Sequence, residues 1–150
     1  MTKEQFTKIM DEHLKLVRTE YGLTQEKMAV ALGISKKTLV EIEKGRRSLG
    51  WTGAVACGVI FGQSSVLQND FGGGIEELAA SLALEQLQPI YPKTMGGKIW
   101  WTEVQNKNNW RIQKNIVSGH YRLLDDKNGR VISSFDLNLV KERLAQEQRG

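Results

Sequence analysis

GLTQEKMAVALGISKKTLVEIEKGRRS, running from Gly22 to Ser48, decides how the first half of this chain folds. Thr24 stands where a helix N-cap belongs, with Lys27 rather than Glu at the third helical position, so the cap is only partly built. Met28, Ala29 and Leu32 recur at the spacing of one helical face. Gly33 can take the left-handed conformation that turns the chain, and Ile34 is placed to plug the space between two helices. Ser35 caps the next helix, Leu39 and Ile42 bury it, and Gly45 ends it. Upstream, Phe6, Ile9, Met10, Leu14 and Val17 mark the buried face of a first helix that ends near Tyr21-Gly22.

Thr24-Gln25, the turn Ala29…Leu32-Gly33-Ile34-Ser35, then Thr38, Ile42-Glu43 and Gly45 fit together at fixed spacing. This stretch resembles the phage-repressor/Cro-like (XRE) helix-turn-helix family, over about residues 5–70, and the resemblance fades after Arg47. It implies an all-α DNA-binding head of about five helices. It also implies that Lys36 and Lys37 reach base edges in the major groove, and that Thr38 meets a phosphate or the base plane. Gln25 would anchor to a phosphate through its side chain and the helix N-terminus. Lys44, Arg46 and Arg47 would meet the DNA backbone. Glu41 is either an acceptor for a cytosine amino group or a solvated carboxylate. Arg18 and Glu43 match a structural ion pair that fixes the first helix against the third.

Downstream, two closing helices are expected at 50–61 and 64–70, with Trp51, Val55, Val59 and Phe61 in the core. FGGG, from Phe71 to Gly74, reads as a hinge, because three glycines in a row cost too much backbone entropy inside a helix. A linker over 71–97 follows, with a helix at 75–88 carrying Ile75, Leu78, Ala79, Leu82 and Ala83 on one face. Pro89 and Pro92 end that helix, and Met95-Gly96-Gly97 opens a different composition.

From Lys98 the pattern turns to strands: KIWWTEV, WRIQKNIV, HYRLLD and RVISSF, divided by Asn- and Gly-bearing breaks. Asn-Gly within DDKNGR is a hairpin signal. Asp136 to Gln148 reads as a closing helix, capped by Asp136, with Leu137, Val140, Leu144 and Ala145 on its face. Residues 98–150 are therefore expected to form a small antiparallel sheet covered by a helix, a candidate for dimerisation or partner binding. Trp100 and Trp101 should point to opposite faces. The aromatics are interleaved with Lys98, Arg111, Lys114, Arg122 and Arg130. Such a mix suits a sheet with one aromatic face buried and one basic face solvated better than a platform for single-stranded nucleic acid. Gln113, Asn115, His120 and Arg122 fall close together across a hairpin, as ordinary strand hydrogen bonds or as a polar effector pocket.

Composition excludes more than it selects. The net charge of +4 is split evenly between the halves, so a nucleic-acid surface must come from local clustering, as between Lys36 and Arg47. A single cysteine, Cys57, makes no internal disulfide, and two distant histidines, His13 and His120, suggest no metal site. No catalytic constellation has recognisable spacing, so no catalytic residue, metal or cofactor is expected. Neither a secretion signal nor an apolar run long enough for a membrane span is present, and a cytoplasmic protein is expected. The overall expectation is an α+β chain that binds double-stranded operator DNA as a homodimer and regulates transcription, most simply as a repressor. The C-terminal half would then take a protein or small-molecule effector. The alternative is an antitoxin-like or phage-control protein whose C-terminal half grips a partner protein.

Overall fold

A computed structural model describes residues 1–90 and 100–149. The chain is α+β and divides into two compact units, Met1–Tyr91 and Pro92–Gly150. The first unit contains α1 (Lys3–Glu20), α2 (Gln25–Leu32), α3 (Lys36–Glu43), α4 (Gly50–Ile60), α5 (Ser65–Phe71) and α6 (Ile75–Leu84). The second contains β1 (Trp101–Lys107), β2 (Trp110–Asn115), β3 (Tyr121–Leu124), β4 (Arg130–Ser134) and α7 (Leu137–Arg149).

Helix α1 starts in a complete capping box, Thr2 with Gln5, and lays Phe6, Met10, Leu14 and Val17 along one buried stripe. Around that stripe pack Met28 and Ala29 of α2, Leu39 and Ile42 of α3, Ala54 and Cys57 of α4, and Leu67 of α5. Phe6 stacks on Phe71 at 4.6 Å and meets Trp51 edge-on at 5.5 Å, which ties the start of α4 and the end of α5 to α1. Burial pushes the Cys57 thiol up to about 12, so it packs as a small hydrophobe.

Several expectations need correction. Val59 is exposed rather than in the core, because α4 turns Ala54, Cys57 and Gly58 inward with Phe61 one turn on. Those small residues let α4 lie close to α1. A Cβ built on Gly58 would stand 2.7 Å from the branched methyl of Ile75. The triple glycine does not loosen the chain into a hinge: Gly72, Gly73 and Gly74 all occupy left-handed backbone and fold it tightly from α5 into α6. Helix α6 stops at Leu84 rather than 88, followed by a turn ahead of Pro89. It also does not serve as a free linker, since Ile75 sits in the helical core and Leu78 and Leu82 pack against it. The expected breaks at Pro92 and 95–97, and the strand onset at Lys98, lie outside the described residues.

The second unit is a four-stranded antiparallel meander in the order β1-β2-β3-β4. Asn108 and Asn109, both at positive φ, make the tight turn between β1 and β2. Asp125 closes the β3–β4 turn by accepting from the backbone N–H groups of Lys127 and Gly129. Asp136 caps α7, accepting from Asn138 N at 2.9 Å. Val140 and Leu144 of α7 then pack on Ile112 and Leu123, leaving Ala145 exposed. Helix α7 covers one sheet face and the other carries polar and charged side chains.

Two predictions follow from the packing of the helical unit. Gly58→Ala should lower stability by about 1–2 kcal/mol by overpacking against Ile75, although Ala is the better helix former by about 1 kcal/mol. Urea unfolding of both proteins measures it. Glu20 reaches from α1 to accept from the Ser64 and Ser65 hydroxyls and from the Ser65 N–H at 2.7 Å. Those hydrogen bonds hold its carboxyl below the ordinary range. A lowered folded pKa means the contribution is present above the unfolded value and lost as pH falls through the folded one. Glu20→Gln should therefore destabilise the protein near neutrality and flatten the acid side of its stability profile, read as urea midpoints from neutral to acidic pH.

Candidate nucleic-acid interface

The site is built from α2, a three-residue turn and α3. Thr24 caps α2, accepting from Lys27 N at 3.2 Å. Gly33, at φ 70°, ends α2 in left-handed backbone, and Ser35 caps α3 by accepting from Thr38 N at 3.0 Å. Ile34 and Leu32 pack against the core, so the turn is held from beneath. The angle between the two helices therefore follows from one glycine, two caps and an apolar plug.

Helix α3 begins with Lys36 and Lys37, both exposed. Two ammonium groups at the positive end of a helix dipole oppose the local preference for acidic residues, and the first turn of α3 holds no acid. Glu26 of α2 partly compensates: its carboxylate accepts from Lys36 Nζ at 2.6 Å, and that bond holds Glu26 below the ordinary carboxylate range. Both partners are largely in solvent, so the pair is screened and readily exchanged for a phosphate. Lys37 has no ion pair among the described residues.

The other candidate residues fall around the same helix. Thr38 is half-buried, and its hydroxyl oxygen accepts from Ser35 at 2.9 Å and from Arg47 Nη1 at 3.4 Å. Arg47 thus folds back over the start of α3. Arg46 Nη1, beyond the end of α3, lies 3.9 Å from Oε1 of Glu41, which is on the helix itself and partly exposed. Lys44 is the C-cap residue of α3 and is exposed, and Gln25 opens α2, half-buried. Sequence reasoning missed Glu26 and the Arg47–Thr38 contact. An acid in the first turn of α2 was a visible signal for the first, whereas nothing in the linear spacing pointed to the second.

The constellation is held by a charge pair beneath it. Arg18 Nε donates to Glu43 Oε2 at 3.0 Å and its Nη2 to Oε1 at 2.8 Å, while Nη1 donates to the Leu23 carbonyl at 3.1 Å. The side chains are only 16% and 5% exposed, so this belongs with buried pairs rather than with screened surface ones. The hydrogen bonds to Glu43 raise the Arg18 pKa above its ordinary value.

A helix-turn-helix family model matches residues 14–50. The first unit carries an XRE-type helix-turn-helix. No curated protein and no solved structure matches the chain. The helix-turn-helix accounts for α2, α3 and the part of α1 that bears Arg18, and it assigns the first unit to DNA-binding transcription regulators. Among the described residues, no group of His, Cys, Asp and Glu could hold a metal ion. No helix among them is long and apolar enough to cross a membrane.

Removing one partner of the Arg18–Glu43 pair strands the other in a dry site. Arg18→Ala or Glu43→Ala should each cost about 3 kcal/mol, whereas replacing both with Met and Leu should cost clearly less. A double-mutant cycle by chemical denaturation tests this, and additive losses would contradict it.

Proposed function

We propose that this protein is a sequence-specific DNA-binding transcriptional regulator, acting as a homodimer on an inverted-repeat operator and most simply as a repressor. The observation that carries the reading is the pair of exposed lysines, Lys36 and Lys37, at the start of a helix whose orientation is pinned by a buried fork. Such a helix enters the major groove with its N-terminal side chains against base edges. In this reading Lys36 gives up Glu26 and Lys37 joins it on guanine acceptors. Gln25, Thr38, Lys44, Arg46 and Arg47 serve the phosphates, and Glu41 stands toward a cytosine amino group.

A two-fold protein reads a two-fold site, with half-sites about one helical turn apart. On the first unit an apolar groove between α4 and α6 is lined by Trp51, Val55, Val59, Ala79, Ala80 and Ala83. That groove supports the homodimer reading, with the same face of a second copy as its occupant. The C-terminal unit would then be an accessory module.

Selection of genomic fragments by the full-length protein at near-physiological salt tests the proposal. The wild type should enrich short inverted repeats, and Lys36→Ala/Lys37→Ala should lose them while keeping its fold by circular dichroism. Sequence-blind enrichment by the wild type, or an unchanged set of fragments with the variant, would sink it.

A further inference from the structure

The second unit carries charge that its own fold does not use. Strand register places Asn106, Arg111, Leu124 and Arg130 on one rung across the sheet, and Glu103, Gln113, Arg122 and Ser133 on the next. These rungs lie on the face opposite Ile112 and Leu123, which pack under α7. Arg122 is therefore diagonal to Arg111 and Arg130, on neighbouring strands. Among the described residues none of these three arginines makes an ion pair. The acid nearest in register, Glu103, is separated from Arg122 by Gln113, and Asp125 is committed to its own turn.

The central guanidinium is held ready rather than neutralised. Arg122 donates through Nε and Nη2 to the amide oxygen of Gln113, at 3.0 and 2.8 Å, and lies 3.8 Å from the centroid of the Trp101 ring. Two of its five donors are used, both on a neutral oxygen, which leaves its charge and the rest of its fork outstanding. Arg111 donates to the Asn128 side-chain oxygen, again a neutral acceptor, and Arg130 is exposed. Partial burial and the charges of Arg130 and Arg111 lower the Arg122 pKa, as unrelieved like charge must. Among the described residues the fold gathers these cations without pairing them to an acid. An anionic partner supplies the opposite charge.

We infer that the open sheet face bearing Arg111, Arg122 and Arg130 is a second DNA-binding surface, which takes the phosphodiester backbone of duplex DNA. The three cations are spread over neighbouring strands of a pleated surface, as a run of phosphates requires, rather than gathered around one pocket. Trp101 is covered by Arg122 on this face, so it positions a guanidinium and does not offer a platform for an unstacked base. That favours a duplex over a single strand. Because the helix-turn-helix is on the same chain, a duplex held by one unit is presented to the other at high effective concentration. The sheet contact is blind to sequence and adds affinity and salt dependence.

The test uses the full-length chain and a labelled duplex of mixed sequence several helical turns long, followed by fluorescence anisotropy across a salt series. In the Lys36→Ala/Lys37→Ala background, salt-sensitive duplex binding should persist, so the result is independent of whether the helix-turn-helix reads an operator. Adding Arg111→Gln, Arg122→Gln and Arg130→Gln should weaken that binding at least about tenfold at low salt and reduce the salt slope by about 2. Arg122→Gln also removes the Trp101 contact, so Arg111→Gln/Arg130→Gln, which leaves that contact intact, is measured beside it and should show most of the loss. An unchanged affinity and slope in the Arg111→Gln/Arg130→Gln protein would overturn the inference. Displacement of the duplex by polyglutamate or by single-stranded oligonucleotide at lower concentration than by unlabelled duplex would also overturn it, pointing to an acidic protein or an unpaired strand.

Discussion

Helix α3 depends on a guanidinium fork beneath it. Arg18 projects from α1, grips both carboxylate oxygens of Glu43 near the end of α3, and takes the Leu23 carbonyl where the chain enters α2. One side chain thus fixes the start of α2 and the end of α3 against the longest helix of the unit. Charges withdrawn this far from water are costly unless they are paired and hydrogen-bonded, and here they are paired in a bidentate geometry. The consequence is orientation: Lys36 and Lys37 sit at the far end of a helix of eight residues anchored at both termini, by Ser35 at one and Glu43 at the other.

The same unit tolerates a local contradiction at its surface. Two lysines at the N-terminus of a short helix are unfavourable for that helix alone, and its packing through Leu39 and Ile42, with the Ser35 cap and the Arg18–Glu43 pair, offsets this. The neutralising contact from Glu26 lies in solvent, where it is easily replaced. Charge held strongly in the core and weakly at the surface is what a docking surface needs, since only the weak contacts must be exchanged on binding.

The second unit shows a related arrangement on a sheet. Its core is small, built on Ile112, Leu123, Val140 and Leu144 on the α7 side. The opposite face buries Leu124 and displays guanidinium groups steadied by amide oxygens and an indole ring. His120 makes an edge-on contact with Trp101 at 5.0 Å and bonds Ser118, which places it at the turn and on this aromatic edge.

Local features are legible wherever a residue acts on its own backbone. Thr24, Ser35 and Asp136 as caps, Gly33 as a turn and the helix and strand periods follow from short-range stereochemistry, which the linear order contains. The chain order of helices, sheet and closing helix was therefore readable from the residues, as was the stretch that forms the helix-turn-helix. The tertiary structure decided what depends on partners far along the chain. It placed Val59 outside and Gly58 inside, because the approach of Ile75 and of Phe6 and Met10 on α1 distinguishes two sides of an evenly apolar helix. It turned three glycines from a hinge into a tight corner, since conformational freedom in a residue does not say which conformation its neighbours will select. It also set Arg111, Arg122 and Arg130 on one face, because strand register and bulges, not spacing in the chain, determine which side chains meet across a sheet.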